Sequence, residues 1–352
     1  MSDRRGGARG SLLLSLALLV AALGGLSLYT LWDTARIEAR YPPNGRFVDV
    51  GDAGDGQRLH LVDRPGARED SPVVLLLHGA SGNQAEIVLA LGDRLAGRFR
   101  VIAPDRPGHG WSDRAGGSQA ALPTEQAALV VEALEKLGVR RAIVVGHSWS
   151  GTLATSLALD HPDRVAGLVL LAPVTHPWTG GVAWYYNPAA APVLGDILAT
   201  TIFFPVSRAV LDGAVRSVFA PQSPPPDYVE GARIPLAIRP ANFRYNAQDI
   251  AGLHAFVTTQ APRYGGIRVP TVIVAGDLDT IVRSPTHAQA IVKQVEGAEL
   301  VMLPGVGHML HHAAPVAVTA AIERVASRAG LSPDQGRAAG IPPPVDPAAG
   351  RF

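Results

Sequence analysis

The sequence predicts an α/β fold built on a mostly parallel sheet. Two observations carry this. Apolar runs of strand length, such as Val73-Val74-Leu75-Leu76-Leu77 and Thr271-Val272-Ile273-Val274-Ala275, alternate with longer stretches of helical periodicity, giving a βαβ rhythm. The runs are also apolar throughout, without in/out alternation, which is the pattern of strands covered on both faces.

The chain has 352 residues, 47% of them hydrophobic and 17% charged, enough for one large α/β domain with an insertion. With 31 basic and 30 acidic side chains, a net charge of +1 and no long block of like charge, nothing suggests a nucleic-acid surface. There is no cysteine, so disulfides, thiolate zinc sites and a cysteine nucleophile are excluded.

Residues 11–32 carry no charged side chain and follow Arg4, Arg5 and Arg9. A run of about 20 apolar residues matches the hydrocarbon thickness of a bilayer, whereas a signal-peptide apolar region is shorter, about 7–15 residues. Residues 1–32 therefore read as an uncleaved single-pass anchor, with a cleaved signal as the alternative. Arg36, Arg40 and Arg46 nearly balance the basic residues ahead of the run. A short tail inside and the rest of the chain on the extracytoplasmic side, as in a bacterial periplasm, is the expected arrangement.

Residues 33–45 read as a polar linker ending in Pro42-Pro43. Segments 46–50 and 58–63, parted by a Gly/Asp-rich turn, read as a β-hairpin with a long loop. Strand 73–77 ends in His78-Gly79-Ala80-Ser81-Gly82, a helix over 83–95 follows, and strand 101–103 leads into Pro104-Asp105-Arg106-Pro107-Gly108-His109-Gly110-Trp111-Ser112. A helix over 124–137 stops at Gly138 and feeds the run Ala142-Ile143-Val144-Val145. That run ends in Gly146-His147-Ser148-Trp149-Ser150-Gly151, a serine between small residues with a helix after it, the form of a nucleophile elbow.

Strand 165–171 comes next. The rhythm then breaks over 174–266, which lacks strong strand signals and holds Trp178, Trp184, Tyr185, Tyr186, Phe203 and Phe204. This reads as a helical insertion covering the carboxyl edge of the sheet. Core signals resume over 267–330: strand 271–275, a helix near 285–295, strand 299–303 and a last helix over 315–329. The Pro/Gly/Ala-rich segment 331–352 reads as a disordered tail.

Ser148, Asp279 and His308 each occupy the turn after an apolar strand, and a parallel sheet gathers such turns along one edge. The chemistry requires this set: a neutral imidazole takes the serine proton, and a carboxylate holds its tautomer and stabilises the imidazolium. Asp277 competes with Asp279 for the acid, and His311 and His312 compete with His308 for the base or form with it a three-histidine metal site. His109 reads as a packing or hydrogen-bonding residue, and His147 as one that packs beneath the elbow.

Together, His78-Gly79, the 105–112 loop, the 146–151 elbow, Gly276-Asp277-Leu278-Asp279 and Gly305-Val306-Gly307-His308 resemble the α/β-hydrolase superfamily over roughly 46–329. The resemblance implies an eight-stranded, mostly parallel sheet with helices on both faces. It also implies a lid after the sixth strand, catalytic Ser148, Asp279 and His308, and neither cofactor nor metal. The oxyanion donors are then the backbone N–H groups of Ala80 and Trp149, and Trp178 and Tyr185 are expected in the substrate pocket. Ser150 departs from the glycine of many members, a change bearing on elbow geometry.

A serine at the elbow argues against relatives that need a carboxylate there, the epoxide hydrolases and haloalkane dehalogenases. The expected activity is therefore hydrolysis of a small-molecule carboxylic ester, thioester or lactone through an acyl-enzyme. Proline iminopeptidase-like, C–C bond hydrolase and cofactor-free haloperoxidase chemistry share the triad, and a membrane-tethered ligand receptor is the non-enzyme alternative. The Ser-Trp pair resembles proline iminopeptidases, but their Gly-Gly-Pro oxyanion loop is replaced here by His78-Gly79-Ala80.

Overall fold

The computed structural model describes residues 3–51 and 56–331. Strands β1 (Arg46–Asp49), β2 (Arg58–Arg64), β3 (Val73–Leu77), β4 (Arg100–Pro104), β5 (Ala142–His147), β6 (Val165–Leu171), β7 (Thr271–Gly276) and β8 (Glu299–Leu303) form one eight-stranded sheet in the order β1-β2-β4-β3-β5-β6-β7-β8. Only the β1–β2 and β2–β4 pairs are antiparallel. Every residue of β5, β6 and β7 is buried, which is why these strands are apolar at every position.

Helix α1 (Asp3–Arg40) leads the chain, and α2 (Gln84–Leu95), α3 (Pro123–Lys136) and α4 (Ser150–Asp160) follow β3, β4 and β5. The sheet's two faces carry separate cores. Leu75, Val144 and Leu170 pack with Val130 of α3 and Leu153 of α4, while Leu76, Val145 and Val169 pack with Ile87 and Leu91 on the opposite face. The chain moves from β3 outward to β4 and then back across to β5, so the strand order reverses between β3 and β5. The crevice at such a reversal is where parallel sheets place their ligands.

Between β6 and β7 the described elements are helical: α5 (Tyr186–Ala190), α6 (Leu194–Leu198), a π-turn (Ala199–Phe203), α7 (Phe204–Phe219), α8 (Tyr228–Gly231) and α9 (Pro240–Gln260), with short 3₁₀ segments. After β7 come α10 (Ala288–Ile291), α11 (Leu310–Ala313) and α12 (Pro315–Arg328). The helix expected over 285–295 is thus a single turn.

Segment 33–45 also differs from its reading as a linker. Helix α1 runs unbroken to Arg40, and its last turns dock on the insertion: Ile37 and Tyr41 are buried with Phe204, Leu211 and Val215. Asp33 accepts from Arg208, and Glu38 from Arg239. Only 41–45 remain non-helical. The α1 segment from Leu12 is long and apolar enough to cross a membrane, as is the stretch from Leu194 to Phe219. Residues 52–55 of the expected hairpin loop and 332–352 of the expected tail lie outside the described residues.

Candidate active site

The elbow is built by close approach. Ser148 adopts φ 55°, a left-handed conformation that costs an L-residue on the order of 1–3 kcal/mol. The turn is held because Ser148 N–H donates to Leu171 O on β6, while its carbonyl accepts from Gly151 and Val174. A Cβ at Gly146 would lie 2.3 Å from Ser150 O, so only glycine lets α4 cross the end of β5. The Ser150 hydroxyl, which the sequence reading treated as a departure, donates to His78 O at 2.5 Å and so ties the elbow to the loop after β3.

Ser148, Asp279 and His308 stand together. The Ser148 hydroxyl donates to His308 Nε2 at 3.0 Å, and His308 Nδ1–H donates to Asp279 Oδ2 at 2.8 Å. A carboxylate only accepts, so this contact fixes the tautomer that leaves Nε2 free to take a proton. Asp279 Oδ1 accepts from the N–H groups of Ile281 and Val282, which fixes the carboxylate plane. Asp277 turns away and accepts from Gly305 N–H at 2.7 Å, bracing the turn that presents His308. The three side chains are nearly enclosed: Ser148, Asp279 and His308 are 8%, 7% and 5% exposed.

Ala80 follows β3 and Trp149 follows Ser148, and β3 and β5 are neighbours in register from Leu77 to Gly146. Among the described residues, neither the Ala80 nor the Trp149 backbone N–H has a protein acceptor, as an oxyanion hole requires. His78 shapes the Ala80 loop: its Nδ1–H donates to Gly79 O and its Nε2 accepts from Arg106 N–H. This neutral form is enforced by burial, and the neighbouring Arg106 charge adds to the effect, lowering its pKa to about 3.

The remaining histidines separate from the triad. His109 is buried against Arg106 and the Pro107 carbonyl. His147 lies behind His308, with ring centroids 4.9 Å apart, and its Nε2–H donates to His308 O at 3.3 Å. His311 and His312 do not join His308 in a three-histidine set. Both donate Nε2–H to Glu86 Oε1 of α2, at 2.7 and 2.8 Å. These three groups have the donor types of a divalent-metal site. Burial pushes the Glu86 carboxyl up, but His311 and His312 outweigh it and hold it well below the usual carboxylate range.

Two supports were not legible in the sequence. Gln222, from the insertion, accepts from Gly307 N–H at 2.9 Å and donates to Gly305 O, gripping the turn that ends in His308. Asp249 of α9 is fully buried and binds Arg106 at 2.6 Å and Arg114 at 2.8 Å. The Arg106 guanidinium lies 3.9 Å over the Trp149 ring, whose Nε1–H donates to Asp249 O. No local motif announces either partnership, because each joins segments far apart in the chain.

Trp178 packs edge-on against His254 and lies 6.1 Å from His287, whose pKa burial and His176 lower to about 4. Tyr185 stacks 6.5 Å from Phe243, on the side of the insertion that reaches Ser81. The two aromatics therefore occupy different parts of the insertion. A polar surface hollow of about 630 Å³, lined by Asn44, Arg64, Gln84, Asp93 and Arg233 among others, includes none of the triad.

A nucleophile elbow, an imidazole and a carboxylate at the carboxyl edge of a parallel sheet define a hydrolase of the α/β type. Residues 74–322 match the alpha/beta hydrolase family, and the chain belongs to it. Haloalkane dehalogenase 2 of Mycobacterium tuberculosis is 28% identical over 299 residues, covering 80% of this chain and 94% of that protein. The 2-hydroxy-6-oxo-6-phenylhexa-2,4-dienoate hydrolase of Burkholderia cepacia is 29% identical over 277 residues, 75% of this chain and 89% of that one. A higher identity, 37% over 130 residues, links 37% of this chain to 32% of the dihydrolipoyllysine-residue acetyltransferase component of the acetoin cleaving system of Cupriavidus necator. A thermophilic esterase from Thermogutta terrifontis superposes with a TM-score of 0.65 at 21% identity, covering 81% of this chain and 99% of that one.

Proposed function

We propose that this hydrolase cleaves a small-molecule carboxylic ester, thioester or lactone through an acyl-enzyme, and that α1 is an uncleaved anchor holding the catalytic domain on the extracytoplasmic side. The observation that carries the chemistry is the Ser148–His308–Asp279 hydrogen-bonded chain, at 3.0 and 2.8 Å, on a strained elbow. Ser148 Oγ attacks the carbonyl while His308 Nε2 takes its proton, and the oxyanion settles on the N–H groups of Ala80 and Trp149. One such donor is typically worth about 3–4 kcal/mol of transition-state stabilisation. His308 then protonates the leaving alcohol, and water, deprotonated by the same imidazole, releases the acid and restores Ser148.

The relatives narrow this less than the nucleophile does. The similarity to a haloalkane dehalogenase does not carry its activity across, because Ser148 stands where alkyl-ester chemistry needs a carboxylate. An exopeptidase needs a free lid carboxylate for the substrate amine. Of the five lid carboxylates, Asp249 is committed to Arg106 and Arg114, Glu230 to Arg40 and Tyr41, and Asp196 to Arg244, which leaves Asp212 and Asp227 as the ones an exopeptidase would have to use. C–C bond hydrolysis on the same triad is the second reading, favoured by the likeness to the dienoate hydrolase.

The test is turnover of p-nitrophenyl esters of graded chain length by the full chain in micelles, beside Ser148→Ala, proline p-nitroanilide and the dienoate. Ester turnover lost in Ser148→Ala supports the proposal. Turnover of the dienoate or the proline amide alone replaces it with one of those chemistries, and phosphonate labelling of Ser148 without any turnover favours a receptor.

A further inference from the structure

We infer that the insertion is a second membrane contact: its exposed face over 193–210 lies in the headgroup–acyl boundary of the same bilayer that α1 crosses. The inference rests on the reading of α1 as an anchor and goes beyond it, since an anchor alone leaves the catalytic domain free to stand off the membrane.

Three observations converge on this face. Val193, Leu194, Ile197, Ile202, Val206 and Val210 are exposed, the least exposed of them at 43% and Val193 at 70%. They fall on one side. Ile202, Val206 and Val210 are four apart, while the five-residue step from Ile197 to Ile202 crosses the π-turn, whose i→i+5 winding keeps the stripe in line. The only charged residues within 193–210 are Asp196 and Arg208, and each is ion-paired, with Arg244 and Asp33, although their side chains stay 60% and 47% exposed. The stripe is thus an apolar face whose two charged neighbours are both ion-paired, backed by the buried Phe204 and Leu211 on the other side of the helix.

Its depth is set by α1. Leu12, Leu16, Leu19 and their neighbours are exposed, whereas Thr30, Asp33 and Ile37 are buried against the insertion. The change occurs at Tyr29 and Trp32, with Arg36 stacked over Trp32 at 4.6 Å, an aromatic and basic pairing that marks the interface level of a spanning helix. Tyr29 packs 6.2 Å from Phe204 at the head of α7, so the apolar stripe passes the level where α1 leaves the lipid. Continuity with the anchor favours lipid over a second copy of the chain as occupant, because lipid necessarily surrounds α1 at that height.

The contact also gives the site an apolar approach. From Phe203 on the π-turn, rings succeed one another through Phe243 at 5.3 Å, Tyr185 and Tyr186. Asn246 of α9 then reaches the loop after β3, accepting from Ser81 N–H at 2.7 Å, next to Ala80. A substrate dissolved in the bilayer would meet this row before meeting water.

The absence of cysteine makes the test direct. Full-length protein carrying a single Val206→Cys, Val210→Cys, Leu18→Cys or Arg140→Cys change is labelled with an environment-sensitive fluorophore. It is then reconstituted into phosphatidylcholine–phosphatidylglycerol vesicles with a nitroxide at a shallow acyl position. Arg140 is exposed at the amino end of β5, opposite the insertion. Quenching of about twofold or more at Leu18, Val206 and Val210, and none at Arg140, is expected for a helix lying about 5–10 Å into the boundary. Quenching at Leu18 alone overturns the inference and leaves the anchor standing; no quenching at Leu18 overturns both. Lid labels shielded from water yet untouched by the lipid nitroxide would assign the face to a second protein copy and equally overturn it.

Discussion

Replacing Asp249 with asparagine removes one charge and almost no volume, and so isolates what that charge does. Its carboxylate receives Arg106 at 2.6 Å and Arg114 at 2.8 Å, with side-chain exposures of 0%, 0% and 1%. The other partners of the two cations are neutral, Gln126 and His109 for Arg106 and the Tyr245 carbonyl for Arg114, and Arg106 Nε and Arg114 Nε and Nη2 are buried without protein acceptors. Removing one partner of a buried pair costs about 3–5 kcal/mol, because the remaining charge stays desolvated and unpaired. Here two guanidinium groups are left, which puts Asp249→Asn at or above the upper end of that range. The comparison is Glu135→Gln, which breaks an exposed pair with Arg164 and is expected to cost about 1 kcal/mol or less. Urea unfolding of the full chain in micelles should show a much lower midpoint for Asp249→Asn at an unchanged slope. Arg106 also lies over Trp149, so the variant should lose kcat more than it raises KM as the proposed oxyanion donor loosens. A midpoint shift no larger than that of Glu135→Gln would refute the reasoning.

Other consequences are open to measurement. Gly146→Ala drives a Cβ to 2.3 Å from Ser150 O and 2.8 Å from the Ala154 Cβ, so the soluble yield should collapse or the melting temperature fall steeply, whereas Ser150→Gly should fold and lose activity only in part. Asp279→Asn should lower kcat on the order of 10⁴-fold by releasing the His308 tautomer, while Asp277→Asn, which only braces Gly305, should cost less than about tenfold. Acid should destabilise the fold. Burial holds His78 to about 3 and His287 to about 4, and keeps His109 and His147 well below the ordinary 6.5. Between about pH 6.5 and 4 the unfolded chain therefore binds protons that the native state refuses, and stability falls as pH drops, by roughly 1.4 kcal/mol per pH unit for each such histidine. Melting curves at pH 7.5, 6 and 5 check this, and a flat profile would contradict the buried-neutral assignment.

What was legible in the sequence is what short-range chemistry dictates. A fully apolar run must be buried on both faces, and a serine between small residues after such a run must sit on a tight turn. The strands near 73, 142, 165, 271 and 299 and the order of Ser148, Asp279 and His308 follow from neighbours a few residues apart. The same locality explains the misreadings. Segment 33–40 looks polar because its helix buries only one narrow face, through Ile37, and its other support comes from Arg208 and Arg239, some 170 to 200 residues away. Ser150 looks like a mere deviation from glycine until His78 O is found beside it.

Tertiary structure alone shows which partner each of several neighbouring residues of one type meets. Asp277 and Asp279 are two apart on one turn, and only the pairing of β7 with β8, which sets the Gly305–His308 turn beside it, sends one to a backbone N–H and the other to His308. His308, His311 and His312 are nearly adjacent in sequence, yet the turn of α11 hands two of them to Glu86 and leaves the third for Ser148. Asp249, Gln222 and the apolar stripe over 193–210 acquire their roles from the closure of a helical insertion over the sheet. A hydrogen bond or ion pair depends on where two groups meet in space, and hydrophobic spacing along the chain encodes only which side of an element faces inward.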